Sequence, residues 1–294
     1  MKYIFFFFSL LVFSCSQPEG KKKTFVAYTE YTDDLHRKVN IKQNATRFLS
    51  LAPSITEILF AVCDSAQIVG RTPYCNFPAA ALSKPLVNNY PVDFEKILFL
   101  KPDLVFVKDG MISLDQAAKI EEMGIPVYFQ KYDSVKDIFT GIERIGLLTG
   151  NTGKAKKLAD SLRTALDILV AKDTAVRKMK VLLPASKESY FVFGKNTYAS
   201  DILRLAGLEN AIDSVFSNPY PQVSAEYLLK INPDIMIASA GIGLKKDFFV
   251  LHPELKKTNA YKNKRLYLID DDLISRPGPR VVEAISIIKK QIKN

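Results

Sequence analysis

The chain has few residues suited to acid–base or metal chemistry. Its 294 residues include two histidines, His36 and His252, and three cysteines, Cys15, Cys63 and Cys75. His36 lies between two short alternating segments and His252 in a polar stretch. Neither is placed for proton transfer near neutral pH, where histidine is the usual carrier. There is no Gly-x-Ser-x-Gly elbow, His-Glu-x-x-His pair or phosphate-cradling glycine loop. A His/Asp/Glu cluster spaced for direct zinc or manganese capture is also missing from the sequence. The expectation is therefore a binder and not an enzyme, with carboxylate-based catalysis as the alternative. Cys63 and Cys75 can pair in an oxidising compartment, or Cys63 can be a buried thiol; spacing leaves both open.

Cys15 has a more specific setting. Lys2 precedes an almost unbroken apolar run over 3–13, too short for a permanent membrane helix, which needs about 20 apolar residues. With a charged start and a small residue near its end, the segment reads as an export signal. Val12-Phe13-Ser14-Cys15 resembles a bacterial lipobox, in which the cysteine is acylated. Residues 1–14 are then a lipoprotein signal peptide and Cys15 the membrane anchor. Residues 15–23 form a polar, basic, lipidated tether. The alternative is an ordinary cleaved signal with an incidental cysteine. The chain is expected in the cell envelope, facing the periplasm or the cell exterior. Its net charge of +10 is interleaved with acids and marks a solvated surface biased towards anions. No basic stretch joins a nucleic-acid motif, so nucleic acid is not an expected partner.

Roughly 270 residues remain, enough for one large or two medium domains. Segments 28–32 and 37–41 flank Asp33-Asp34 and predict a hairpin. Short apolar runs at 47–51, 67–70, 104–107 and 127–129 alternate with helical patterns at 114–123 and 135–148. Ser54 and Glu57 have the spacing of a capping box. Such alternation predicts parallel sheet with crossover helices. From 152 to about 176 there is no proline, and Ala155, Leu158, Leu162, Ala165, Leu166 and Leu169 recur at helical spacing. A helix of roughly 20 residues is about 30 Å long, enough to join two lobes as a spine. Strands at 180–184, 190–193, 235–238 and 265–268 follow, with helices at 199–206 and from 281. The predicted fold is α/β: two pseudo-symmetric three-layer α/β/α lobes with parallel-rich sheets, over 24–150 and 178–294, joined by one long spine helix over 151–177.

An internal repeat supports the two lobes. Glu95-Lys96-Ile97-Leu98-Phe99-Leu100-Lys101-Pro102-Asp103-Leu104-Val105-Phe106-Val107 matches Glu226-Tyr227-Leu228-Leu229-Lys230-Ile231-Asn232-Pro233-Asp234-Ile235-Met236-Ile237-Ala238. Each copy is an acid, a short helix, a Pro-Asp breaker and a buried strand. The copies lie on opposite sides of the spine. Two such lobes leave a cleft between them, a common place for a ligand.

Four motifs then carry a family resemblance. Ser50-Leu51-Ala52-Pro53-Ser54-Ile55-Thr56-Glu57, Leu100-Lys101-Pro102-Asp103-Leu104-Val105, Tyr220-Pro221-Gln222-Val223-Ser224 and Ser275-Arg276-Pro277-Gly278-Pro279-Arg280 resemble the periplasmic binding proteins for iron-siderophores, haem and cobalamin. The likeness runs from about residue 31 to the C-terminus. It implies small closure of the lobes on the ligand, a metal chelate carried as cargo with no covalent cofactor, and a monomer serving a permease dimer with a cytoplasmic ATPase. It places Glu95 and Glu226 as docking acids for the two permease subunits, where a carboxylate suits a forked arginine. A sensor or haemophore without its own permease shares the fold and is not separated from this reading by the sequence.

The resemblance also implies a set of cleft positions. Tyr74, Tyr90, Phe193 and Tyr220 supply flat rings for a macrocycle or aromatic chelate, although Phe193 ends a predicted strand and fits a core equally. Arg276 and Arg280 flank Pro277-Gly278-Pro279, a rigid turn able to hold a guanidinium against ligand carboxylates, and Arg280 can instead be structural. Arg71, Lys108 and Lys195 are further cationic candidates. Asp272 stands where an acid touches the ligand in the cobalamin branch, or in a solvated loop with Asp270 and Asp271. The chain has no tryptophan, whereas cobalamin binders of this class often line the cleft with it. Ferric siderophore, cobalamin and haem remain open.

Overall fold

The computed structural model describes residues 27–171 and 179–293. The expected signal peptide, Cys15, the tether and residues 172–177 of the expected spine lie outside the described residues.

The predicted hairpin forms from β1 (Tyr28–Thr32) and β2 (Lys38–Lys42), antiparallel with Tyr28 opposite Lys42. Its turn is organised by buried Asp33, whose carboxylate accepts from the backbone N–H groups of Leu35 and Arg37. His36 occupies the left-handed region there, with φ 62°.

The first lobe follows as β3 (Phe48–Ser50), α1 (Pro53–Val62), β4 (Ile68–Gly70), α2 (Phe94–Leu100), β5 (Leu104–Lys108), α3 (Leu114–Glu122), β6 (Val127–Gln130) and α4 (Val135–Leu148). Its four strands are parallel in the order β4-β3-β5-β6. Helix α5 (Thr152–Ala171) leads to the second lobe. That lobe contains β7 (Lys180–Leu182), α6 (Tyr198–Leu205), β8 (Glu209–Asn210), α7 (Ala225–Ile231), β9 (Ile235–Ser239), α8 (Phe248–Leu251), α9 (Asn259–Lys262), β10 (Leu266–Ile269), α10 (Asp271–Ser275) and α11 (Val281–Lys293). Its parallel order, β8-β7-β9-β10, repeats that of the first sheet.

Side-chain alternation along the strands builds the layers. In β5, Leu104 and Phe106 enter one core while Val105 and Val107 enter another. In β9, Ile235 and Ile237 join the first of these, and Met236 faces a third. Strands covered on both faces read as continuous apolar runs, which is why the sequence marked them without alternation. The middle core is common to both lobes: Phe48, Ile142, Leu166, Ile202 and Ile285 all belong to it. Helix α5 packs there against α1, α4 and α11. Gly146 of α4 lies against Ala155 of α5, so close that a Cβ at 146 would collide with the Ala155 methyl.

The repeat appears in three dimensions. Helices α2 and α7 each span 7 residues and end on a left-handed residue, Lys101 and Asn232, directly before the proline. The Asp that follows anchors the neighbouring strand. Asp103 accepts from the N–H groups of Thr46 and Arg47, and Asp234 from that of Lys180.

Several expectations are corrected. Residues 190–193 form isolated bridges, Pro184 with Val192 and Phe191 with Gln222, in place of a strand. The 54/57 capping box does not form: Ala52 is the N-cap of α1 and Pro53 begins the helix. A proline at the first position has no N–H to satisfy, and Glu57 is drawn elsewhere. His252 lies between helices in the polar stretch but is enclosed. It is 3% exposed, with its ring against Tyr190 and Phe248 and its Nε2–H donating to the Lys187 carbonyl at 2.8 Å. The acids at 270–272 form the start of α10 and not a solvated loop; Asp270 caps it by accepting from the Asp272 N–H at 2.8 Å. Strand β8 escaped the sequence reading because two residues are too few to show a period.

Candidate functional site

The two lobes enclose a cavity of about 1040 Å³, at the upper end of the volumes that small-molecule sites occupy. From the first lobe, the carboxyl ends of β5 and β6 contribute Lys108 to Met111 and Lys131 to Asp133. From the second come Phe193 to Ala199, Phe216 to Tyr220 and the turn at Ile274, Ser275 and Pro277. Parallel sheets present ligands at strand carboxyl ends, because the loops there converge.

Phe193 and Tyr220 stand together in this wall, their rings edge to face at 5.3 Å. Phe193 also packs on the shared core, so it lines the cavity and belongs to the core at once. The Phe191–Gln222 bridge and the Gly194 N–H, donating to Pro219 O at 2.9 Å, lock the two loops together. Burial pushes the Tyr220 hydroxyl's pKa up, so the ring is a neutral platform. Tyr74 and Tyr90 are 69% and 91% exposed and are not part of the cavity wall.

Arg276 and Asp272 face each other and not the open cavity. The Arg276 guanidinium reaches Asp272 at 2.5 Å and Glu57 at 3.3 Å. It also donates to Asn76 Oδ1 at 2.8 Å and to the Tyr74 carbonyl at 2.9 Å. Arg280 forks onto Glu57 at 2.9 and 2.6 Å, with its guanidinium carbon 4.2 Å from the Phe77 ring centroid. The hydrogen bond to Glu57 holds the Arg280 pKa up. Two carboxylates and two guanidiniums thus join α1 and the 74–77 loop to α10 and the turn after it. Tyr198 secures that turn, donating to the Leu273 and Arg276 carbonyls.

Sequence reading missed Glu57 as the centre of this network. Residues Ser54 to Leu59 are all buried, so α1 is enclosed on every side. An acid in such a helix must find partners, and that was the available signal.

Lys108 and Lys195 also line the cavity, whereas Arg71 donates to the Thr72 carbonyl outside it. Desolvation pulls the Lys108 pKa down, with Asp109 and Asp133 opposing. Lys131, in the same wall, pairs with Asp133 at 2.8 Å. Cys63 and Cys75 are both free and buried. The Cys75 sulfur sits 3.1 Å from the hydroxyls of both Thr56 and Thr72. Among the described residues, no group of three or more His, Cys, Asp or Glu is arranged to hold a metal ion.

Glu95 and Glu226 lie exposed in the first turns of α2 and α7, at matching places in the two lobes. A carboxylate there is favoured by the helix dipole. Beside Glu95 the surface carries Phe99, 75% exposed, whereas the matching place in α7 is Lys230.

Two like-ordered lobes on a shared helical core, with one large cleft between them, define a solute-binding protein. The chain belongs to the periplasmic binding protein family, whose model matches residues 49–273. It is 27% identical to the uncharacterized ABC transporter substrate-binding lipoprotein YvrC of Bacillus subtilis, over 97% of this chain and 93% of that one. It is 29% identical to a vitamin B12-binding protein of Vibrio vulnificus, over 81% of this chain and 87% of the other. A possible iron-binding periplasmic solute-binding protein from Staphylococcus epidermidis superposes with a TM-score of 0.75 at 28% identity, covering 86% of this chain and all of its own. The family is the one the four motifs resembled.

Proposed function

We propose that this protein captures a bulky metal chelate, a ferric siderophore, cobalamin or haem, in the inter-lobe cleft and delivers it to a membrane importer. The observation that carries this reading is the cavity of about 1040 Å³ with the Phe193–Tyr220 pair in its wall. That space suits a ligand of macrocycle size, and edge-to-face rings offer apolar area at little entropic cost. The aromatic character supports a chelate whose metal is already coordinated, with the protein gripping the organic shell.

In the same reading, Cys15 carries lipid that holds the exported chain at the membrane, and Glu95 and Glu226 meet arginines of a permease dimer linked to an ATPase. The exposed 74–90 loop supplies Tyr74 and Tyr90 as rings that fold onto the ligand when it arrives. Arg276 and Asp272 belong to the inter-lobe network and shape the cleft floor through Ile274, Ser275 and Pro277.

A thermal-shift panel of cyanocobalamin, haem and several ferric siderophores tests the reading. A true ligand at 100 times its dissociation constant adds about 2.7 kcal/mol of stability, an easily read rise in melting temperature. The expected result is a rise with one chelate class. No rise with any chelate, together with turnover of some substrate, would overturn it.

A further inference from the structure

We propose that Lys108 is the charge-selecting residue of the cleft, and that the ligand it admits presents an anionic oxygen group, a carboxylate or catecholate, towards the end of β5. This rests on the chelate-binding reading above and narrows it.

Lys108 is the last residue of β5, at the strand's carboxyl end in the cavity wall. Its half-buried ammonium has one hydrogen bond, a long one to the Asp109 carbonyl at 3.3 Å, and makes no ion pair with a described residue. An ammonium taken partly out of water without a carboxylate carries a desolvation cost. The lowered pKa of Lys108 reflects that cost. The other cations around the cleft are differently placed. Arg276 and Arg280 are held by Glu57, Lys131 by Asp133, and Lys195 is exposed to solvent. The fold itself does not call for a lysine here. Strands β5 and β9 match residue for residue, with one burial pattern, and the counterpart of Lys108 is Ser239. A ligand oxygen bearing negative charge would supply the missing acceptor through a charge-assisted hydrogen bond. Asp109 and Asp133 are the opposing charges in the same wall, Asp133 already paired with Lys131, so the ligand's own charge decides the question.

Full-length protein in mild detergent is titrated with four probes, following quenching of its tyrosine fluorescence. Two are anionic, a ferric tris-catecholate and haem with its carboxylates. Two carry no net charge: a ferric tris-hydroxamate, which has no free anionic group, and amide-rimmed cyanocobalamin, whose one phosphodiester is balanced by its cobalt centre. The wild type should prefer an anionic probe. Lys108→Gln should weaken that binding about ten-fold or more, as the loss of a charge-assisted hydrogen bond implies, and Lys108→Arg should restore most of it. Asp109→Asn should leave it undiminished. Equal losses for charged and uncharged probes, or a wild type that prefers an uncharged one, would overturn the role of Lys108 and leave the chelate reading standing. A wild type that binds none of the four overturns both.

Discussion

Glu57 shows how one residue holds two lobes. Its side chain is 2% exposed and meets two guanidiniums, while Asp272 balances the second. Buried ion networks contribute little compared with well-packed apolar replacements, but removing a single member strands the others. Glu57→Ala should therefore lower stability by about 3–5 kcal/mol, and Glu57→Gln by less because it keeps an acceptor. Urea unfolding reads this as a fall in midpoint. A loss within about 0.5 kcal/mol, the range of ordinary surface changes, would show that the network does not hold the lobes. The arginines of this network were legible in the sequence, flanking Pro277-Gly278-Pro279, yet their partner was not. Residues 57 and 280 meet only through the fold, and local spacing offered Glu57 a nearer role as a cap.

At the scale of elements, the sequence marked both sheets well because buried parallel strands are apolar runs between strong breakers. Helix α4 and the hairpin fall where periodicity placed them, and α5 runs from Thr152 as expected. What periodicity could not reveal was the close crossing of α4 and α5. A glycine inside a helix costs about 1 kcal/mol relative to alanine, so Gly146, still inside the last turn of α4, signals another need. It lets the two backbones approach at Ala155. Gly146→Val should push α5 away, with a loss of about 1–3 kcal/mol typical of overpacking. Gly153→Ala, in open space on α5, is the control and should be neutral or slightly stabilising. Equal effects from both, read as melting temperatures, would contradict the crossing. Short elements such as β8 and the 190–193 bridges depend on tertiary pairing and leave no periodic trace.

The whole molecule is three cores in series, with the middle one common to both lobes. Helices α1, α4, α5, α6 and α11 contribute to that core, and the Glu57 network ties its edge. In the proposed reading, lobes joined in this way move little on closure, and a permease would meet surfaces that stay in fixed register. The repeat gives each lobe one exposed acid at the head of a 7-residue helix, a paired arrangement suited to a partner with two-fold symmetry. The measurement that tests the account most directly combines uptake and binding for one double variant. Cells that depend on this protein for a chelate should lose uptake with Glu95→Ala plus Glu226→Ala, while the purified variant keeps its chelate affinity. Unimpaired uptake, or affinity lost along with it, would contradict the account.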